Sequence, residues 1–318
     1  MKMTVIGCGR WGSFIAWYLH RLGHQVTLYG RETSKDMHRF LTERKNDLLT
    51  LPSAIKLTTS LDCALNADVI FISISSQSLQ SLMDNIKAHT PKNQTFVLCM
   101  KGLEVSTGRR LSQVAQGSLD PSNAVAVWLG PGHVQEFCHG IPNCMVIDSE
   151  QPQTKENLID LLSGNLIRFY YGQDLIGNEL GAAAKNVIGI AAGMLDGLHL
   201  STLKGALMSR GTREIARLIA AMGGNELSAY GLCHLGDYEA TVFSQYSHNR
   251  KFGEAFILGE PYAALAEGYA TTKALVALGQ AHGVDLPICD AVYQMLYEAA
   301  VPGDTLQALF ARSLKNEF

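Results

Sequence analysis

The sequence predicts an α/β fold: a doubly wound, largely parallel sheet followed by an all-α region. Three observations carry this. A short apolar strand runs straight into Gly7-Cys8-Gly9-Arg10-Trp11-Gly12, with a helix and a second strand close behind. Apolar stretches that are continuous rather than alternating recur as far as Tyr170, the mark of strands covered on both faces. From Gln173 onward no convincing strand occurs and helical periodicities take over. The 318-residue chain is long enough for two cores, and the change of pattern divides it into domains at 1–172 and 173–318.

In order, Lys2–Ile6 is the first strand, an amphipathic helix runs to Leu22 and stops at Gly23, and Gln25–Tyr29 is the second strand. This is the setting in which GxGxxG binds a dinucleotide on a Rossmann-type sheet. Gly7 makes the tight turn, Gly9 lets backbone approach a pyrophosphate, and Gly12 permits close helix–strand packing. The helix start at Arg10 and Trp11 offers free N–H groups and the positive dipole end to phosphates. An acidic residue ending the second strand would bind the ribose hydroxyls of NAD. Here Gly30 takes that position and Arg31 follows, which suits a 2′-phosphate and favours NADPH, with NADH possible through Glu32.

Further strands are expected at Ile55–Thr58, Ala67–Ser73, Thr95–Met100, Ala124–Leu129, Asn143–Ile147 and Leu166–Tyr170, with a helix over Ser76–His89. Ligands of such sheets sit beyond the carboxyl ends of the strands. Two loops there carry chemistry: Lys101-Gly102-Leu103-Glu104, and Gly130-Pro131-Gly132-His133.

The helical half opens on Asn178–Leu198, small and apolar nearly all round, which implies burial with close neighbours. Lys185 is its one cation. A buried ammonium is costly unless paired, and burial lowers its pKa toward a range useful for proton transfer. Lys185 is therefore the candidate catalytic residue. Helices follow over Leu203–Met222, Ala264–His282, Leu286–Glu298 and Thr305–Asn316, the last capped by Asp304. Between them lies a polar, glycine-containing stretch, 231–253. Within it Ser247-His248-Asn249-Arg250-Lys251 reads as a phosphate-binding loop, and Asp237 is placed to orient a lysine or accept a substrate hydroxyl.

Composition narrows the partners. Hydrophobic residues make up 47% and the formal net charge is -3, with no polybasic run, which argues against nucleic acid. The opening MKMTVIG is too short for a signal peptide or a membrane span. Seven scattered cysteines lack metal-ligand spacing, since Cys138-His139 with Cys144 matches no usual zinc pattern. Reduced thiols in the cytoplasm and no metal are expected.

Taken in order, these segments resemble one family, the soluble NAD(P)-dependent glycerol-3-phosphate dehydrogenases of bacterial type. GCGRWG is similar to the family's GxGxWG, MKGLE to its lysine–glycine loop and GPGHV to GPSFA. ELGAAAKNVIGIAAG resembles its ELxGALKNVxAIAAG helix, and LGDYEAT, SHNRKFG and AEGYATTKAL follow in family order. The resemblance covers essentially the whole chain and implies reversible reduction of dihydroxyacetone phosphate to sn-glycerol 3-phosphate for phospholipid synthesis, in a homodimer.

It also implies roles. Lys185 is the catalytic lysine, with Lys101 and Asp237 beside it. Lys101, Gly130, Gly132, Asp237, Ser247, His248, Asn249 and Arg250 face the phosphorylated triose. Arg10, Trp11, Arg31, Lys101, Val134, His248, Leu265 and Glu267 join Gly7, Gly9 and Gly12 on the cofactor. The sequence departs from the pattern at Gly132, which stands for a serine, at His248, which stands for an arginine that spans substrate and cofactor phosphates, and in a minor way at Gly205 and Thr212 in the helix after the lysine. Near two phosphates His248 is expected to have a raised pKa, so that KM climbs as its charge is lost between about pH 7 and 9. A ketopantoate-type or other hydroxyacid reductase would share the sheet and the lysine but lack the phosphate loop. A non-catalytic NADPH-binding sensor would have no use for Lys185, Lys101 and Asp237 together.

Overall fold

The computed structural model describes residues 1–313. Its first half alternates strand and helix: β1 (Lys2–Ile6), α1 (Arg10–Arg21), β2 (Gln25–Tyr29), α2 (Lys35–Glu43), β3 (Lys56–Thr58), α3 (Leu61–Leu65) and β4 (Val69–Ile72). The chain continues through α4 (Leu79–Ala88), β5 (Thr95–Leu98), α5 (Leu111–Gln116), β6 (Ala124–Leu129), α6 (Val134–Cys138), β7 (Asn143–Ser149), α7 (Pro152–Leu162) and β8 (Ile167–Tyr171). The eight strands form one sheet in the order β3-β2-β1-β4-β5-β6-β7-β8. The chain reverses direction across the sheet between β1 and β4, and a crevice opens at their carboxyl ends.

Every neighbouring pair is parallel except β6 and β7, which run antiparallel. The expectation of a largely parallel sheet holds with that one reversal, which an apolar run cannot encode. Phe14, Phe71, Trp128 and Phe137 pack one face, and Ile70, Met83 and Phe96 the other. The helices α2, α3, α5, α6 and α7 have no counterpart in the periodicity reading. Most span too few turns to show a stripe.

The second half is helical among the described residues: α8 (Leu175–Gly197), α9 (Lys204–Ala221), α10 (His248–Leu258), α11 (Glu267–His282), α12 (Pro287–Tyr297) and α13 (Pro302–Phe310). α8 is buried almost throughout, and α9, α10, α11 and α12 all pack on it. Its small residues admit them. A Cβ on Gly193 would stand 1.8 Å from the Arg250 carbonyl oxygen, and one on Gly253 2.1 Å from that of Ile190, so α8 and α10 cross backbone to backbone. Gly268 brings α11 equally near, with its Cβ position 2.6 Å from the Asn186 carbonyl oxygen.

A buried polar staple ties the halves together. Arg110, at the start of α5, donates from Nη1 to Glu179 Oε2 on α8 at 2.6 Å, and the Ser112 hydroxyl and backbone N–H also donate to that carboxylate.

Two local expectations are corrected. Ser247–Arg250 is not a loop: the Ser247 hydroxyl accepts from the Arg250 N–H at 3.3 Å, making it the N-cap of α10. Polar residues there build the first turn of a helix whose later turns are apolar. Asp304 does not cap α13 either; Val301 holds that position, Pro302 is first, and Asp304 sits in the first turn beside the positive dipole end. The helix expected to reach Asn316 ends at Phe310, with Ala311 as its C-cap, and positions 314–316 lie outside the described residues.

Candidate active site

The crevice is assembled from the carboxyl ends of β1, β4, β5 and β6 against α8 and α10. Gly7 terminates β1 with φ +111°, where a Cβ would fall 2.0 Å from the Ser73 carbonyl oxygen, so only glycine fits. A Cβ on Gly12 would strike the Gly7 carbonyl oxygen at 1.9 Å, whereas one on Gly9 would meet nothing within 4 Å. The turn is closed where it packs and open where a pyrophosphate would lie. Arg10 starts the 12-residue α1 at that opening. The residues present therefore fit a dinucleotide.

Facing the turn is a cluster of three charges. The Lys185 ammonium donates to Thr241 Oγ1 at 2.8 Å and lies 3.1 Å from Asp237 Oδ2. Lys101 Nζ donates to the same Asp237 Oδ2 at 2.6 Å and to the Gly130 carbonyl oxygen at 2.6 Å. Asp237 is only 1% exposed and Lys185 8%. One carboxylate thus holds two ammonium groups, leaving net positive charge beside the crevice. Burial pushes Lys185 down to about 8, against the pull of Asp237 upward, so proton release becomes accessible near neutrality. Thr241 is also fixed, since its hydroxyl hydrogen-bonds the Asp237 carbonyl oxygen at 2.7 Å.

The other expected contacts divide. Glu267, first in α11, accepts from the Ser76 N–H at 3.2 Å and the Ser76 hydroxyl at 2.5 Å, beside Gly102. Trp11 packs its ring on Phe14 and Phe137 rather than standing free. Val134 is buried at the start of α6, while Arg31 and Leu265 are exposed. Asn249 is engaged at both ends: its Nδ2 donates to Asn186 Oδ1 at 3.0 Å and its Oδ1 accepts from the Gly268 N–H at 2.9 Å. It knits α10, α8 and α11 together. Arg250 is drawn to Asp196 at 2.6 Å and Glu254 at 3.1 Å, which neutralise it. Gly132 has φ +143°, and a Cβ there would come within 2.4 Å of the Phe137 ring. A serine would not fit without moving that ring, so the position offers backbone only.

His248 differs from its expectation. Arg10 Nη1 lies 2.9 Å from its Nε2, and the Tyr262 hydroxyl 2.7 Å from its Nδ1. A guanidinium can only donate, so Nε2 accepts and the ring is neutral. Burial first, then the charges of Arg10 and Lys251, hold its pKa below the ordinary value. In the protein without ligands the expected rise is reversed. Thr241 escaped the sequence reading, because a hydroxyl in a polar stretch carries no periodic signal, and His133 was read only as the last residue of the Gly130–His133 loop, with no role of its own. Among the described residues no three His, Cys, Asp or Glu side chains gather to hold a metal, and all seven cysteines are free.

A dinucleotide cradle opening on a buried lysine–aspartate–lysine cluster defines an NAD(P)-dependent oxidoreductase. Similarity to known proteins makes it specific. Residues 2–155 match the model of the NAD-dependent glycerol-3-phosphate dehydrogenase N-terminus, and residues 174–307 that of its C-terminus. The chain is 34% identical to glycerol-3-phosphate dehydrogenase [NAD(P)+] of Thermoanaerobacter sp., covering 100% of this chain and 99% of the relative. It is 36% identical to that of Yersinia pestis, covering 99% and 97%. A crystal structure of glycerol-3-phosphate dehydrogenase from Coxiella burnetii superposes with a TM-score of 0.90 at 30% identity, covering 98% and 99%. A ketopantoate reductase from Ralstonia eutropha shares the fold alone, at TM-score 0.64 and 15% identity. The chain belongs to the NAD-dependent glycerol-3-phosphate dehydrogenase family.

Proposed function

We propose that this enzyme reduces dihydroxyacetone phosphate reversibly to sn-glycerol 3-phosphate, with NADPH preferred over NADH, in the cytoplasm and for phospholipid synthesis. The observation that carries the reading is the buried Lys185 ammonium, held by Asp237 and Thr241 at the mouth of the dinucleotide cradle. Relatives that bear the activity in their names span the whole chain.

A reduced dinucleotide held at Gly7, Gly9 and the start of α1 would bring hydride-transfer chemistry to the crevice. Lys185 then has two tasks: its charge stabilises the oxygen that becomes negative, and its proton neutralises it. Lys101 adds a second cation and is fixed by Gly130, so it can hold a substrate oxygen without reorganising. Asp237 positions both ammonium groups. Thr241, a second acceptor for the Lys185 ammonium, restricts the direction in which its proton can be delivered. Arg10, with His248 as its neutral support, and the N-terminus of α10 at Ser247 would meet phosphate oxygens. Glu267 and Arg31 would act on the cofactor, Glu267 from beside the Lys101–Gly102 turn and Arg31 at the 2′-phosphate.

Two structural readings accompany this. The division at residue 172 separates a cofactor-binding domain from a substrate-binding domain. The apolar character of the helical half and the family resemblance support a homodimer. Among the described residues no helix is long and apolar enough to cross a membrane.

The decisive measurement is NADPH oxidation with dihydroxyacetone phosphate, compared with ketopantoate and unphosphorylated dihydroxyacetone. Turnover should be confined to the phosphorylated ketone. Preference for ketopantoate would overturn the reading. Light scattering at twice the 34.6 kDa chain mass checks the dimer.

A further inference from the structure

Beyond the lysine cluster, three buried side-chain atoms stand without a hydrogen-bond partner among the described residues, Gln94 Oε1 just before β5 and two in the segment that follows β6. His133 Nε2 is shielded from solvent and hydrogen-bonds to nothing among the described residues. A buried polar group left in this state costs free energy, so such atoms are rare unless a ligand completes them. Gln135 Oε1, on the first turn of α6, is another in the same segment. Whatever fills this side of the crevice meets a surface short of partners.

Its place is well defined. His133 is the N-cap of α6, three residues beyond the Gly130 carbonyl that anchors Lys101. The Tyr246 ring meets it edge-on with centroids 5.5 Å apart. Gly132, with Phe137 against it, presents no side chain. His133 is therefore the polar side chain that the β6–α6 turn brings to the cluster. The charges of Lys185, Asp237, Lys101 and Arg10 all act on it.

Chemistry selects the ligand group. Burial first, then the charges of Lys185, Lys101 and Arg10 against the opposing pull of Asp237, hold the imidazole down to about 4, so it is neutral at working pH. It has no charge to offer a phosphate. A neutral ring carries one N–H and one lone pair, and a hydroxyl can pair with either, since it both donates and accepts.

We propose that His133 Nε2 hydrogen-bonds the free hydroxyl of the substrate and so selects an α-hydroxyketone phosphate over a methyl ketone phosphate. The inference rests on the activity proposed above and deepens it. Lys185 and Lys101 serve the carbonyl oxygen, Arg10 and α10 the phosphate, and His133 the remaining functional group of the triose.

The test compares kcat/KM for dihydroxyacetone phosphate and its deoxy analogue, hydroxyacetone phosphate, in wild type, His133→Phe, His133→Leu and His133→Gln. In wild type the hydroxyl should improve kcat/KM. In His133→Phe that preference should shrink by at least about fivefold, the ratio expected for losing one buried hydrogen bond. His133→Leu gives the same readout should the larger ring hinder folding, and His133→Gln, which still donates and accepts, should retain much of the preference. A preference unchanged in the Phe and Leu variants overturns the proposal, as does a change confined to the KM for NADPH. Failure of the functional reading is distinct: wild type would then not turn over dihydroxyacetone phosphate at all.

Discussion

Arg10 donates to His248 Nε2 at 2.9 Å across the crevice, linking the first residue of α1 to the first residue of α10. The pair joins two helix N-termini, and it decides which of the two residues is the cation. The guanidinium is the fixed donor of the pair, while burial first, then Arg10 and Lys251, hold the His248 pKa below its ordinary value and favour the neutral ring. A rise in KM between pH 7 and 9 therefore requires bound phosphates to outweigh burial and the two neighbouring cations at His248. Wild type and His248→Arg should give parallel profiles of substrate KM over that interval. Divergence at the alkaline end would restore His248 as the phosphate cation. Arg10→Ala should raise the substrate or cofactor KM on the order of tenfold, the scale of one charge-assisted hydrogen bond.

That exchange of roles shows where the sequence ceases to be readable. Lys185 stood out because a cation in an apolar helix violates the periodic pattern, and the structure buries it on α8 as expected. Lys101 and Gly130 were visible as loop residues after apolar strands. Arg250 looked like a phosphate ligand because proximity in sequence says nothing about direction, and Asp196, 54 residues away, draws it aside. Asn249, Thr241 and His133 owe their settings to partners on other elements, so no local spacing reports them. The antiparallel β7 was unreadable for a related reason: burial on both faces fixes composition, while strand direction depends on the connection.

Cofactor choice is predicted to depend on Arg31, which is exposed just beyond β2. Arg31→Ala should reduce kcat/KM for NADPH relative to NADH by about tenfold, through loss of one charge-assisted contact. An aspartate at Gly30 would be the obvious way to reverse the preference, but the packing forbids it. Its Cβ would lie 2.6 Å from Cys8 Sγ and 2.8 Å from Met37 Cβ, both buried. Gly30→Asp should therefore lower stability by about 1–3 kcal/mol, read as a lower Tm. A variant that melts like wild type and prefers NADH would show that this packing yields easily.

The Arg110–Glu179 staple makes a separate prediction about stability. Both partners are buried, at 6% and 5% exposure. Arg110→Met leaves the Glu179 carboxylate with only the Ser112 donors and should cost about 3–5 kcal/mol. The double variant Arg110→Met/Glu179→Leu removes both charges and should recover a large part of that loss. Denaturant unfolding of wild type, Arg110→Met, Glu179→Leu and the double variant supplies the comparison. If the double variant is as unstable as the sum of the singles, the pair is not an isolated ionic unit.

The last prediction concerns the proton that Lys185 handles. With its pKa lowered to about 8, chiefly by burial, the group is mostly protonated at pH 7 and mostly neutral at pH 9. Ketone reduction needs the protonated form as acid, so kcat/KM in that direction should be flat below the pKa and fall as pH rises through it. Alcohol oxidation needs the neutral form as base and should rise through the same interval. Asp237 opposes the downward shift, so Asp237→Asn should carry the reductive limb to lower pH. Lys185→Met keeps similar volume without the charge. It should bind NADPH nearly as wild type does, while turnover falls roughly 100-fold or more, the scale of losing electrostatic and acid–base stabilisation of a transition state. The residual activity should also lose the limb near pH 8. Should Lys185→Met keep wild-type turnover, or keep that limb at reduced turnover, a different residue delivers the proton.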